Sequence, residues 1–128
     1  MAVAEPRYLL DANICIFILD SASSTAVERL ERCDIGEAVT SSIAYAEVML
    51  GAVRLDGYDR AMRFFRTIPV LPFDQKAADT YARLPFKRQS FDRLIAAQAL
   101  SLGLTVATSN SKDFFGVPGL KIEDWTRS

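Results

Sequence analysis

Short apolar runs alternate along this chain with longer segments whose apolar positions recur every three or four residues. The runs suit strands buried on both faces, and the longer segments suit amphipathic helices. Tyr8–Asp11 opens the series as a strand that delivers one carboxylate, and Ala12–Leu19 follows at once as a short helix. Ser24-Thr25-Ala26-Val27-Glu28 begins a second helix, with Thr25 and Glu28 spaced as a capping box. Gly36 breaks the chain, and Ala38–Ser41 reads as a second strand. Ser42 caps a helix from Ile43 to about Leu55, whose Ile43, Val48, Met49, Ala52 and Val53 form a broad buried stripe. Asp56-Gly57 ends it, and Tyr58–Ile68 forms another helix with Met62, Phe65 and Ile68 inward. Pro69–Pro72 predicts a short strand pinned by prolines, after which Asp74 caps a helix running to Leu84. Beyond the basic loop Pro85–Gln89, Ser90-Phe91-Asp92 starts the most apolar helix, Arg93–Leu102, which Gly103 stops. Thr105–Thr108 is the next strand, and Asn110–Phe115 is a loop or a single helical turn. Leu120–Ile122 is a final edge strand, with Trp125 closing over the end.

This alternation, free of repeats and linkers, predicts an α/β fold. One domain over residues 1–128 would hold a mainly parallel sheet of four or five strands, with helices on both faces. A chain of 128 residues can bury roughly two-thirds of its unfolded surface without staples. Apolar runs of about ten residues or fewer are too short to span a membrane. Met1–Arg7 contains Glu5 and Pro6 and lacks the layout of a signal peptide, so a cytoplasmic protein with no membrane contact is expected. Cys15 and Cys33 fall on apolar helix faces as reduced core residues.

Charge narrows the chemistry. A formal net charge of −1 argues against holding nucleic acid by bulk electrostatics. A nuclease with an acidic active site stays open. The chain has no histidine, which removes His-based general bases, His-Cys zinc sites and Ser-His-Asp triads together. Catalysis here must use carboxylates, lysines, hydroxyls or an oxygen-bound metal.

Four acids stand just after a strand or in the opening turns of a helix: Asp11, Glu47, Asp92 and Asp113. In a parallel sheet all four would lie along one edge, where ligands of open α/β sheets bind. Each also has an ordinary reading. Asp11 suits a helix N-cap, Glu47 a solvated helix face, Asp92 a helix dipole and Asp113 a turn cap. Held together, such carboxylates repel and their pKa values rise unless a cation neutralises them. Mg²⁺ fits that role best, and Mn²⁺ also favours oxygen ligands.

The sequence resembles the PIN-domain nucleases, and within them the VapC-type toxins of toxin–antitoxin pairs. The resemblance runs from Leu9 to Trp125 and rests on four stretches in order. Leu9-Leu10-Asp11-Ala12-Asn13 is similar to the family's opening strand and first acid, and Thr40 through Glu47 to its second acidic motif. Phe91-Asp92-Arg93-Leu94-Ile95-Ala96-Ala97-Gln98-Ala99 is similar to the helix that supplies the third acid. Thr108-Ser109-Asn110, Asp113-Phe114, Val117 to Leu120 and Trp125 resemble the C-terminal signature. The resemblance implies a Mg²⁺-dependent endoribonuclease acting on single-stranded or loop RNA. Asp11, Glu47 and Asp92 would hold the metal, with Asp113 as a further catalytic acid. Lys87, Arg88 and Arg93 would bind flanking phosphates. It also implies a homodimer and an antitoxin whose basic segment places an arginine among the acids. Two positions depart from the pattern: Ala12 lacks the usual hydroxyl, and Asn110 stands where many members carry an acid. Asn110 or Asp113 would complete the site. Two rivals share the features, a phospho-acceptor receiver domain and a catalytically inactive PIN-fold interaction module.

Overall fold

Five short strands make the frame: β1 (Tyr8–Leu10), β2 (Ala38–Ser41), β3 (Val70–Leu71), β4 (Thr105–Thr108) and β5 (Ile122–Asp124). In the computed structural model, which describes residues 3–85 and 90–127, they pair in the order β3-β2-β1-β4-β5. Every pairing is parallel, and Leu9 lies opposite Val39 on one side and Val106 on the other. Each residue of β1 and β2 is buried, so both faces of the sheet centre are covered. That explains why the first strand reads as a continuous apolar run and shows no alternation.

Six helices supply the cover: α1 (Ala12–Leu19), α2 (Ser24–Glu31), α3 (Ser42–Arg54), α4 (Tyr58–Thr67), α5 (Gln75–Arg83) and α6 (Phe91–Leu102). The α/β architecture and its parallel sheet agree with the expectation, and three local readings are corrected. Ser23, rather than the Thr25/Glu28 pair, caps α2 by accepting the Ala26 N–H at 3.2 Å. Ser41 caps α3 by accepting from Ile43 at 2.9 Å, which frees Ser42 to accept the Phe73 N–H at 3.0 Å. Ser42 thereby ties the start of α3 to the segment after β3. The last strand lies two residues later than the apolar run suggested, because Val117–Leu120 is used in a turn. The Leu120 N–H donates to the Val117 carbonyl, and Gly119 takes a φ of 79° that favours glycine.

Asp74 caps α5 and Gly103 ends α6 at a φ of 70°, both as expected. Cys15 and Cys33 are free thiols, one buried and one half-buried. Arg60 pairs with Asp20 at the end of α1. No helix among the described residues is long and apolar enough to cross a membrane.

Trp125 locks the far end of the sheet. It is fully buried, its ring meets Tyr8 edge-on at 5.2 Å, and the Arg29 guanidinium lies 5.4 Å from it. Arg29 also pairs with Glu123 on β5. Trp125→Ala should therefore cost about 3–5 kcal/mol in urea unfolding. Trp125→Phe should cost clearly less, since an aromatic edge against Tyr8 survives. Equal losses for the two variants would contradict this packing role.

Candidate active site

The strand order turns back on itself between β1 and β4, which opens a crevice at their carboxyl ends. Asp11 is the first residue past β1, held there by its N–H donating to the Ala107 carbonyl at 3.1 Å. Its side chain is only 3% exposed. One carboxylate oxygen accepts the Ile14 N–H at 2.8 Å, so Asp11 is indeed the N-cap of α1. The other accepts the Thr108 hydroxyl at 2.5 Å. The capping reading is correct, and the oxygen not used in the cap lies against the buried Thr108 hydroxyl.

Thr108 was not singled out by sequence reasoning as a site residue. Register alone points to it: Leu10 lies opposite Ala107, so the next residue of each strand stands side by side. The Thr108 hydroxyl is fully buried, gives its proton to Asp11 and accepts the Asn110 N–H at 3.0 Å. One hydroxyl thus links the acid after β1 to the loop after β4. Below it, Thr40 donates to the Leu10 carbonyl at 2.8 Å. Cys15 is enclosed there, and burial pushes its thiol well above the usual range, leaving it inert.

Electrostatics binds the acids into one unit. Burial pushes the Asp11 carboxyl up to about 6, against the opposing hydrogen bonds from Thr108 and Ile14. Asp92 and Asp113 push it further in the same direction. Glu47, half-buried on α3, is also raised, first by burial and then by Asp92 and Asp11. Asp92 occupies the first turn of α6, where α6 packs on α3. Asp113 is exposed on the 3-10 turn Ser111–Phe114, and Asn110 is exposed just before it. Among the described residues, no three such groups are drawn close enough to form a finished metal cage. Asp11, Glu47 and Asp92 share an edge and sense one another's charge. Asp113 opposes the charge of Asp11 from the loop after β4.

The basic candidates divide. Arg93 is 5% exposed, and its guanidinium donates to the Pro85 carbonyl. The expectation of a phosphate-binding Arg93 is corrected on that ground, because this cation is spent on the α5–α6 connection. Lys87 and Arg88 lie outside the described residues. The receiver-domain rival is also corrected. Receiver sheets run 2-1-3-4-5, whereas this one runs 3-2-1-4-5.

A family model described as "PIN domain" matches residues 8–120. The chain belongs to the PIN-domain family. This PIN domain is similar to the tRNA(fMet)-specific endonuclease VapC of Shigella flexneri, at 33% identity over 94% of this chain and 98% of that one. Its fold is similar to that in the crystal structure of DNA-bound VapBC from Salmonella typhimurium. There the TM-score is 0.81 and the identity 29%, over 94% of this chain and 98% of the other. A toxin–antitoxin complex from Klebsiella pneumoniae matches with a TM-score of 0.77 and 28% identity, over 94% and 99% of the respective chains.

Burial of Asp11 has a measurable cost in the metal-free PIN domain. Its carboxyl takes up a proton near pH 6 when folded, against an ordinary 3.8. The stabilisation of the protonated form is therefore fully present below about pH 4 and lost as pH rises through 6. Asp11→Asn cannot ionise, so in EDTA at pH 7 it should be more stable than the parent by about 1–3 kcal/mol. The advantage should vanish near pH 4. Thermal melts across that range would contradict the assignment if the variant were no more stable at pH 7.

Proposed function

We propose that this PIN domain is a metal-dependent endoribonuclease, the toxin of a toxin–antitoxin pair, acting through Asp11, Glu47 and Asp92. We take residues 1–128 as one domain, cytoplasmic and homodimeric. The observation that carries the reading is Asp11 itself. A carboxylate is buried at the switch point of a parallel sheet, with two further acids near enough to oppose its charge. Such an arrangement is unfavourable unless a cation is part of it.

The donor set fits Mg²⁺, with Mn²⁺ as the alternative. Mg²⁺ keeps several of its waters and is bound through only one or two carboxylates. Each Asp11 oxygen has accepted one hydrogen bond and retains a second lone pair. When bound, the ion supplies an activated water and charge stabilisation at a phosphoryl oxygen.

The remaining work falls to the chain. Thr108 fixes the Asp11 carboxylate as an acceptor, and α6 presents Asp92 from its first turn. Glu47, raised first by burial and then by Asp92 and Asp11, is suited to accept a proton from the attacking water. Asp113 or Asn110 completes the site from the loop after β4, and Lys87 and Arg88 bind flanking phosphates. The Shigella relative's name makes tRNA the first RNA to try. The antitoxin silences this edge by setting an arginine among the acids, since a guanidinium can pair bidentately with a carboxylate.

Cleavage of RNA should stop in EDTA and return with Mg²⁺ or Mn²⁺. Asp92→Asn, which keeps shape and an acceptor oxygen, should cut at least tenfold more slowly while still unfolding cooperatively. Undiminished cleavage in chelator, with an Asp11→Ala control excluding contamination, would sink the mechanism. A folded parent that cleaves no RNA would leave an interaction module.

Expressed without its partner, the chain should arrest bacterial growth, and Asp11→Ala with Asp92→Ala should abolish the arrest. Arrest that survives both substitutions would have to arise elsewhere on the protein.

A further inference from the structure

Between α5 and α6 lies a cavity of about 500 Å³, lined by Tyr81, Ser90, Phe91 and Leu94. It is joined to the candidate active site by the chain itself, since Ser90 caps α6 and Phe91 is followed directly by Asp92. None of the four lining residues carries a charge. These described residues offer a flat ligand two aromatic rings. Ser90 Oγ accepts the Arg93 N–H, which leaves its own proton to donate. Phe91 is 56% exposed, an unusual state for a ring that would gain by burial. A single exposed apolar residue needs no explanation. A ring exposed at the mouth of an aromatic-lined cavity, one residue from a candidate ligand acid, is a different matter. Unpaired RNA bases are recognised by stacking on Phe and Tyr together with hydrogen bonds to their edges.

We propose that this cavity is a subsite for one unpaired nucleobase of the RNA, next to the phosphate that meets Asp92. The inference rests on the ribonuclease reading and adds to it a determinant of where the strand is held. Acids on one side would engage the backbone through the metal, and the aromatic rings of the cavity would take a base.

The test measures binding of a short, dye-labelled, single-stranded RNA of mixed sequence to the full chain in EDTA, where no cleavage is expected. Phe91→Ala should weaken binding about tenfold, which is within the range for losing one base–aromatic stack. Phe91→Tyr should stay within about twofold, and Phe91→Leu, which keeps apolar bulk without a π-face, should resemble Phe91→Ala. An abasic site walked along the RNA should reproduce the loss at one position in the parent and add nothing in Phe91→Ala. Urea melts confirm that each variant folds.

Unchanged binding in Phe91→Ala, or no binding by the parent, would overturn the subsite. So would full rescue by leucine together with a drop in solution mass for Phe91→Ala, which would make this a face between copies. A parent that binds with this aromatic signature but never cleaves would leave the subsite standing and remove the ribonuclease reading. A parent that cleaves, with binding indifferent to Phe91, would do the reverse.

Discussion

The hydrogen bond from Thr108 to Asp11 joins the two halves of the molecule. Asp11 leaves β1, Thr108 ends β4, and the strand order reverses between them. With its second oxygen Asp11 also starts α1, so the geometry of that helix depends on the carboxylate as well. A buried hydroxyl with one proton can satisfy one acceptor. Thr108 gives that proton to Asp11 and takes the Asn110 N–H in return, which orients the loop carrying Asp113. Moving either side chain would therefore disturb a helix start, a strand junction and a loop together.

Charge is the second constraint, and it opposes the first. Fixing Asp11 out of water disfavours its ionised form, and Asp92 adds repulsion to both Asp11 and Glu47. A fold selected only for stability would replace these acids with neutral residues. The net charge of −1 shows that the repulsion is local and does not come from an acidic molecule as a whole. Two kinds of cation can relieve it, a hydrated divalent ion or a guanidinium. Under the proposed function they would compete for the same lone pairs, and activation and inhibition would be alternative occupancies of one site.

The amount legible in the sequence followed from how local each signal was. The buried strands and the helix of Asp92 are encoded by runs that no rival pattern imitates, and they stand where expected. Ser23 was hidden as a cap by the Thr25/Glu28 spacing, which imitates a capping box, and Ser41 by the adjacent Ser42. Only the entry angle of the chain decides between Ser41 and Ser42. The final strand shifted because a turn at Val117–Leu120 took residues whose apolar character suited a strand equally well. Arg93 shows a different limit. Its position beside Asp92 suggested phosphate binding, but a helical residue and its neighbour point about 100° apart. That turn carries Arg93 inward to the Pro85 carbonyl. Thr108 was hidden for a third reason, since a partner across a parallel pair appears only once register is known.

The placement of the acids also decides how freely each can move. Glu47 and Asp92 come from helices that pack on each other, whereas Asp11 is fixed by the sheet. A small slide of α6 along α3 would alter the spacing of Glu47 and Asp92 from Asp11 while leaving the Thr108 bond intact. The fourth acid, Asp113, sits on an exposed 3-10 turn, just after Asn110. At Asp11 restraint is strongest, because the atoms that would meet a cation also hold a helix start and a strand junction.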